Sequence, residues 1–360
     1  MVRTVKRLPE IAALNVMLCL LVVFIHVTSV PVTGYDKSSL QFAAVFFPWR
    51  FSGFVVPGFI FLSGLRMFLK GGNIDYGKFY LSRLKRIVLP YIAWNVIYYL
   101  YFILNGYVPF SLPALGLHLF RGDLVGPFYF IVVIVQLYAL APLWSLLVRK
   151  ANVPAALLIA AALTFFLGQH LPGLLARIFP GAAFQYNDRV LTTYLFYWVA
   201  GCFAGANYER AKAWLLEQKK LVFIAFALVG LAEEIFSYIS FSGLRYIGWL
   251  ESLHFFYCVT AVFFFFTVLT YRYRNKDLTS RLAAGIDGAA YPIFLAHCLV
   301  LFVVNDVMAR AGVGSITLAY AIRIAAVYTV TLGLCILWEN AAAGIRRRRA
   351  ANREKPALRV

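Results

Sequence analysis

The sequence predicts an all-α protein: a polytopic membrane bundle of about ten transmembrane helices with N- and C-termini in the cytoplasm. Three observations predict it. The chain of 360 residues is 62% hydrophobic and only 14% charged, where a soluble domain carries roughly 25% charge. Its mean hydropathy is +0.78, and apolar runs near ~20 residues recur along its length, each able to cross a bilayer as a helix. Its basic residues collect at alternate ends of those runs. The runs are continuous and too long for the alternating strands of an outer-membrane barrel.

The expected spans are 11–30, 42–65, 87–104, 126–148, 153–170, 190–207, 221–241, 252–270, 289–308 and 318–341. The first is longer than the apolar core of a signal peptide, and no small-x-small cleavage site follows before Pro31. The second carries Arg50 at its outer end. The third follows a basic stretch, "RLKR", that marks a cytoplasmic entry. The sixth is glycine-rich. The seventh holds Glu233 and Glu234, and the ninth holds His297. Connections are short, so residues 1–345 read as one membrane domain and 346–360 as a basic cytoplasmic tail. No sequence repeat is present.

A net charge of +19 raises the question of nucleic acid, but its placement answers to topology. With the N-terminus inside, most Lys and Arg fall in 1–7, 66–86, 149–150, 208–220, 271–288 and 346–360. That is the positive-inside pattern of a multi-pass inner or plasma membrane protein. "RRRR" at 346–349 reads as a topology anchor and a contact for anionic lipid. Membrane lipids are therefore expected partners, nucleic acid is not, and a homodimer is as compatible as a monomer. The five cysteines lie within spans without metal-type spacing and read as small packing residues.

Ionisable groups inside spans are costly and often functional. His26 lies about 24 Å along the first helix from its cytoplasmic end, at ~1.5 Å per residue. Asn15, Cys19, Val22 and His26 follow spacings of 4, 3 and 4, one helical face that should turn away from lipid. His26 is either an interhelical hydrogen-bonding group or a functional one. A neutral imidazole in apolar surroundings suits a general base. Arg50 either meets an anionic substrate group or snorkels to the interface. Glu233 and Glu234 point about 100° apart on a helix, so they do not form one carboxylate pair; one binds a partner arginine or lines a polar path. His297 either packs and hydrogen-bonds within the bundle or takes part at a site. His118, His170 and His254 lie near outer boundaries, where histidine is common. Arg83 and Arg86 are three residues apart on one expected face. With Arg66 and Lys70 they could hold the phosphates of a nucleotide-like donor, or serve topology alone.

In order along the chain stand "LLVVFIH", "VVPGFIFLSG", "RLKRIVLPY", "GPFYFIVVIVQLYALAPLW", "YWVAGCFAG" and "AAYPIFLAHCLVL". This set resembles the acyltransferase type 3 family of bacterial membrane proteins. The resemblance covers spans one to four and nine. It implies transfer of an acyl group, commonly acetyl from acetyl-CoA, to a cell-envelope glycan or glycolipid, with the first-span histidine, here His26, essential. Many members carry an arginine eleven positions before that histidine; here the position is Asn15, and Arg50 or Arg66 would have to supply the charge. The family's additional extracellular domain is not expected, so transfer should be completed within the membrane domain.

The expected mechanism docks acetyl-CoA, or another acyl-CoA, by its phosphates on Arg66, Arg83, Lys85 and Arg86, with its pantetheine arm between spans near Tyr129. His26 removes the acceptor's proton or briefly carries the acyl group. Asn15 or Tyr129 stabilises the oxyanion, and Arg50, Glu233 and His297 meet the acceptor. No metal or permanently bound cofactor is implied. The rival reading is a transporter or flippase for a glycan or lipid-linked sugar, which the span count and buried polar groups also fit.

Overall fold

The computed structural model describes residues 8–179, 184–278 and 280–354. Among them the chain is helical, with no strand. The helices are α1 (Pro9–Gly34), α2 (Leu40–Phe51), α3 (Val55–Phe68), α4 (Tyr76–Arg83), α5 (Leu89–Leu104), α6 (Leu112–Arg121), α7 (Tyr129–Ala139) and α8 (Ala141–Lys150). They continue with α9 (Val153–Ile178), α10 (Leu195–Ala206), α11 (Tyr208–Glu217), α12 (Lys219–Phe241), α13 (Leu250–Arg272), α14 (Arg281–Arg310) and α15 (Ile316–Glu354). The last residues of the basic tail, 355–360, lie outside the described residues.

Among the described residues eight helical segments are long and apolar enough to cross a membrane, and a ninth crossing is made if the bent pair Leu112–Arg121 and Gly126–Ala139 counts as one. The protein is thus a polytopic membrane helix bundle. The fourth and sixth expected spans account for the difference from ten. The fourth breaks at Leu140, where Pro142 two residues on has no amide to carry the helix ladder through; at the break the Trp144 indole donates to the Leu137 carbonyl at 2.6 Å. The sixth starts as a 3₁₀ turn (Leu191–Tyr194) and only then becomes α10. Irregular backbone at membrane depth must find partners in side chains, and it does. The Gln136 amide donates to the Arg189 carbonyl at 2.7 Å and accepts from the Leu191 amide at 3.1 Å. The Phe196 amide donates to the Thr164 hydroxyl at 2.9 Å.

Several helices begin where a short polar residue accepts a free amide: Ser39 before α2, Asp75 before α4, Asn152 before α9 and Ser280 before α14. Gly122 ends α6 at φ 65°, a left-handed conformation that glycine adopts without penalty. The 58° bend of α6 into the next helix follows.

The chain groups into two compact units, one of residues up to 35 and from 276 onward, the other of residues 36–275. In the first, α1 packs on α14 and α15. Asn15, Cys19 and His26 meet Asp287, Ala290 and His297 in turn, so α1 and α14 run parallel. α15 runs the other way: Tyr328 donates to the Leu20 carbonyl at 2.7 Å, while Tyr320 meets Thr28 at 3.1 Å.

In the second unit, α3 and α10 make the closest helix pair. A Cβ on Gly201 would collide with the Phe61 carbonyl, one on Gly205 with the Leu65 carbonyl, and one on Gly64 with the Trp198 carbonyl at 2.6 Å. Gly201 and Gly205 form the small-xxx-small face that lets membrane helices approach backbone to backbone. Around this pair α9 packs on α10, and α12 packs on α2 and α13, with Phe226 stacked on Phe264 at 4.0 Å.

Candidate functional site

The polar stripe read on the first span faces α14. The Asn15 amide donates to Asp287 Oδ1 at 2.8 Å and more distantly to the Asp287 carbonyl at 3.4 Å. The Cys19 thiol faces the Ala290 carbonyl at 4.0 Å. Near the far end the rings of His26 and His297 stand 5.1 Å apart, tilted by 46°. His26 is half-buried and His297 is fully buried.

The hydrogen bonds assign the His297 tautomer. Nδ1 lies 3.0 Å from the Ile293 carbonyl, which only accepts, so Nδ1 carries the proton and Nε2 carries a lone pair. Nε2 has no protein partner among the described residues. His26, His297 and Cys298 bring ring nitrogens and sulfur within 4.8 Å of one another. Such a soft donor set could hold a Zn²⁺-like cation if it closed slightly. Its members come from two helices and so show no metal-type spacing.

In the second unit Arg50 lies along one stripe of α12. Its guanidinium is 2.6 Å from Glu233 Oε1, its Nε donates to the Ser237 hydroxyl at 2.8 Å, and it stands 5.7 Å from the Phe241 ring centre. Of the alternatives for Glu233, the structure has the partner arginine. Glu234, a step round the helix, is separate from this network, and its carboxylate oxygens have no hydrogen-bond partner among the described residues. The same Glu233 Oε1 receives His254 Nδ1 at 2.8 Å, and His254 Nε2 lies 3.5 Å from the Cys258 sulfur one turn along α13. Gly53 makes room for this imidazole: a Cβ there would stand 2.7 Å from His254 Cε1.

His254 and Cys258 form part of the wall of a cavity of about 340 Å³. Tyr129, Tyr194 and Tyr197 line it, together with Gln169, Asn187, Asp188 and Glu251. Aromatic faces beside carboxylates and carboxamides suit a hydroxyl-rich ligand. Tyr129, expected at the donor, therefore stands in this cavity, with its hydroxyl against that of Tyr194.

The basic cluster is not uniform. The chain passes from α4 to α5 through a π-helical turn, Leu84–Val88, an insertion frequent at functional sites. The turn changes the register, so Arg83 and Arg86 do not share the face expected of residues three apart. Arg83 lies over the rings of Phe79 and Tyr138, at 4.9 and 4.5 Å. Lys85 and Arg86 are exposed on the turn, and Arg66 is exposed in the last turn of α3.

Sequence reasoning missed four members of these clusters. Asp287 sits in a stretch with no outstanding pattern. His254 reads in sequence as a boundary histidine and Cys258 as a packing residue, although their four-residue spacing places both on one helical face. Gly53 carries no legible signal, since its neighbour comes from a distant helix.

No curated protein and no solved structure matched the chain. A family model for the acyltransferase domain of type 3 matches residues 9–338, nearly the whole length, and the chain belongs to that acyltransferase family.

Proposed function

We propose that the protein transfers an acyl group, acetyl in the simplest case, from acyl-CoA to a hydroxyl of a cell-envelope glycan or glycolipid, with His26 as general base. Membership of the family carries acyl transfer itself. The observation that supports His26 is its pairing with His297. His297 Nε2 has no hydrogen-bond partner among the described residues, and its ring centre stands 5.1 Å from that of His26. Donor atoms less than 4.8 Å apart leave a gap that one bridging hydroxyl oxygen can span with two hydrogen bonds. An acceptor hydroxyl seated there loses its proton to His26 as its oxygen attacks the thioester carbonyl.

The donor's phosphates are assigned to the exposed charges of Arg66, Lys85 and Arg86, with Arg83 adding to the local positive field. The cavity bearing Tyr129 offers aromatic faces and hydrogen-bonding groups of the kind that sugars meet. A membrane-spanning enzyme suits this chemistry, because acyl-CoA is made inside the cell and the envelope glycan lies outside the membrane.

The test uses purified protein, labelled acetyl-CoA and an envelope extract. Label should enter a glycan fraction and be released by mild alkali, as an ester is. His26→Ala should lower transfer by roughly 100-fold or more while leaving the protein folded. Glycan movement across vesicles without label transfer would support the exporter reading instead, and an alkali-stable product would place the acyl group on an amine.

A further inference from the structure

The Glu233–His254–Cys258 arrangement has the parts of an activated thiol. Glu233 Oε1 accepts from His254 Nδ1 at 2.8 Å. A carboxylate in that position holds the proton on Nδ1 and leaves the lone pair on Nε2. Nε2 faces the Cys258 sulfur at 3.5 Å, the order of groups in which a base draws a proton from a nucleophile. Arg50 holds the same carboxylate oxygen, Oε1, at 2.6 Å. The spacing of His254 and Cys258 is one helical turn, so α13 itself holds base and thiol in register.

A packing role explains these facts less well. An inert buried cysteine needs no oriented imidazole, and glycine at position 53 is required only because the imidazole is held where a Cβ would strike it. Base and thiol also reach the wall of a cavity. The Tyr197 hydroxyl donates to the Phe255 carbonyl at 3.4 Å, while Tyr129 and Tyr194, hydroxyl against hydroxyl, line the space beyond the sulfur. Phenolic donors so placed can stabilise charge on a carbonyl oxygen under attack.

We propose that Cys258 is an acyl-carrying nucleophile, loaded as a thioester with His254 as its base and Glu233 as the residue that positions His254. The Cys258 sulfur attacks the carbonyl of the donor thioester while its proton passes to His254 Nε2. The donor's carbon–sulfur bond then breaks, and the departing sulfur takes that proton and leaves as a thiol. In the second half-reaction the acceptor's oxygen attacks the acyl carbon and the bond to Cys258 breaks. The acceptor gives up one proton and the Cys258 sulfur regains one, so none is gained or lost. This inference rests on acyl-CoA as donor; the assignment of His26 does not enter the loading step.

The experiment incubates full-length protein in detergent with labelled acetyl-CoA and no acceptor, then quenches it and maps the label by mass spectrometry. One acetyl group is expected on the peptide bearing Cys258, removed by neutral hydroxylamine. It should be absent from Cys258→Ala and present in Cys335→Ser. His254→Gln should load at least ~100-fold more slowly and show a flattened pH profile of loading, which a loss of packing alone would not produce. Cys258→Ser keeps a polar group beside His254 and serves if Cys258→Ala does not fold. Wild-type acceptor acylation with Cys258 unlabelled, and a folded Cys258 variant at full rate, would overturn the thiol role and leave the proposed function standing. If acetyl-CoA labels neither protein nor acceptor, both fail.

Discussion

At residue scale several buried polar groups are held by a particular partner on another helix, among them Glu233 by Arg50 and His254, and Arg323 by Asn305. Removing one member of a pair such as Arg50–Glu233 strands the other in apolar surroundings, a loss of about 3–5 kcal/mol for buried ions. Asn15 shows the neutral case. It lies eleven positions before His26, and its amide is held by Asp287 at 2.8 Å. Asp287→Ala removes that acceptor and should cost about 1–3 kcal/mol, read as a lower thermal midpoint in detergent. Asp287→Asn keeps an acceptor oxygen and should lie closer to wild type. Equal losses in the two variants would mean that charge, not the hydrogen bond, is what Asn15 needs.

At the scale of elements the pairing of α3 with α10 depends on three missing side chains. Gly64, Gly201 and Gly205 place each helix against the other's carbonyls, and backbone cannot move aside as a flexible side chain can. Overpacking of this kind typically costs 1–3 kcal/mol, occasionally more. Gly201→Ala and Gly205→Ala should therefore each lower the midpoint clearly. Gly168→Ala and Gly333→Ala, where an added Cβ meets nothing within 4 Å, should be neutral or slightly stabilising, since alanine favours helix. Unfolding curves of the four variants side by side decide it. The broken stretches at Leu140 and Leu191 belong to this scale too. They shorten two spans, and the polar side chains of Gln136 and Thr164 make that tolerable in a membrane.

At the scale of the whole molecule the charge distribution makes a statement about orientation. Most basic residues fall in segments that alternate with the spans from the N-terminus inward, so both ends are expected in the cytoplasm. Reporters fused after position 345 should be active if they need the cytoplasm and silent if they need the outside. The reverse result would move the exposed Lys85 and Arg86 to the outer side, away from acyl-CoA, and remove the donor assignment.

Membrane class, helical architecture, most span positions and the inward polar face of α1 were all legible in the amino-acid sequence alone. Each follows from local hydropathy or from the 3.6-residue period, and no distant partner enters either. The family, too, was legible from ordered motifs beginning with "LLVVFIH". The partners were decided only by the tertiary structure. A buried histidine announces that it needs a partner, but helix rotation and packing chose His297 for His26 and placed Glu233 and Cys258 on either side of His254. That choice rests on steric fit between helices far apart in sequence, down to the space left at Gly53.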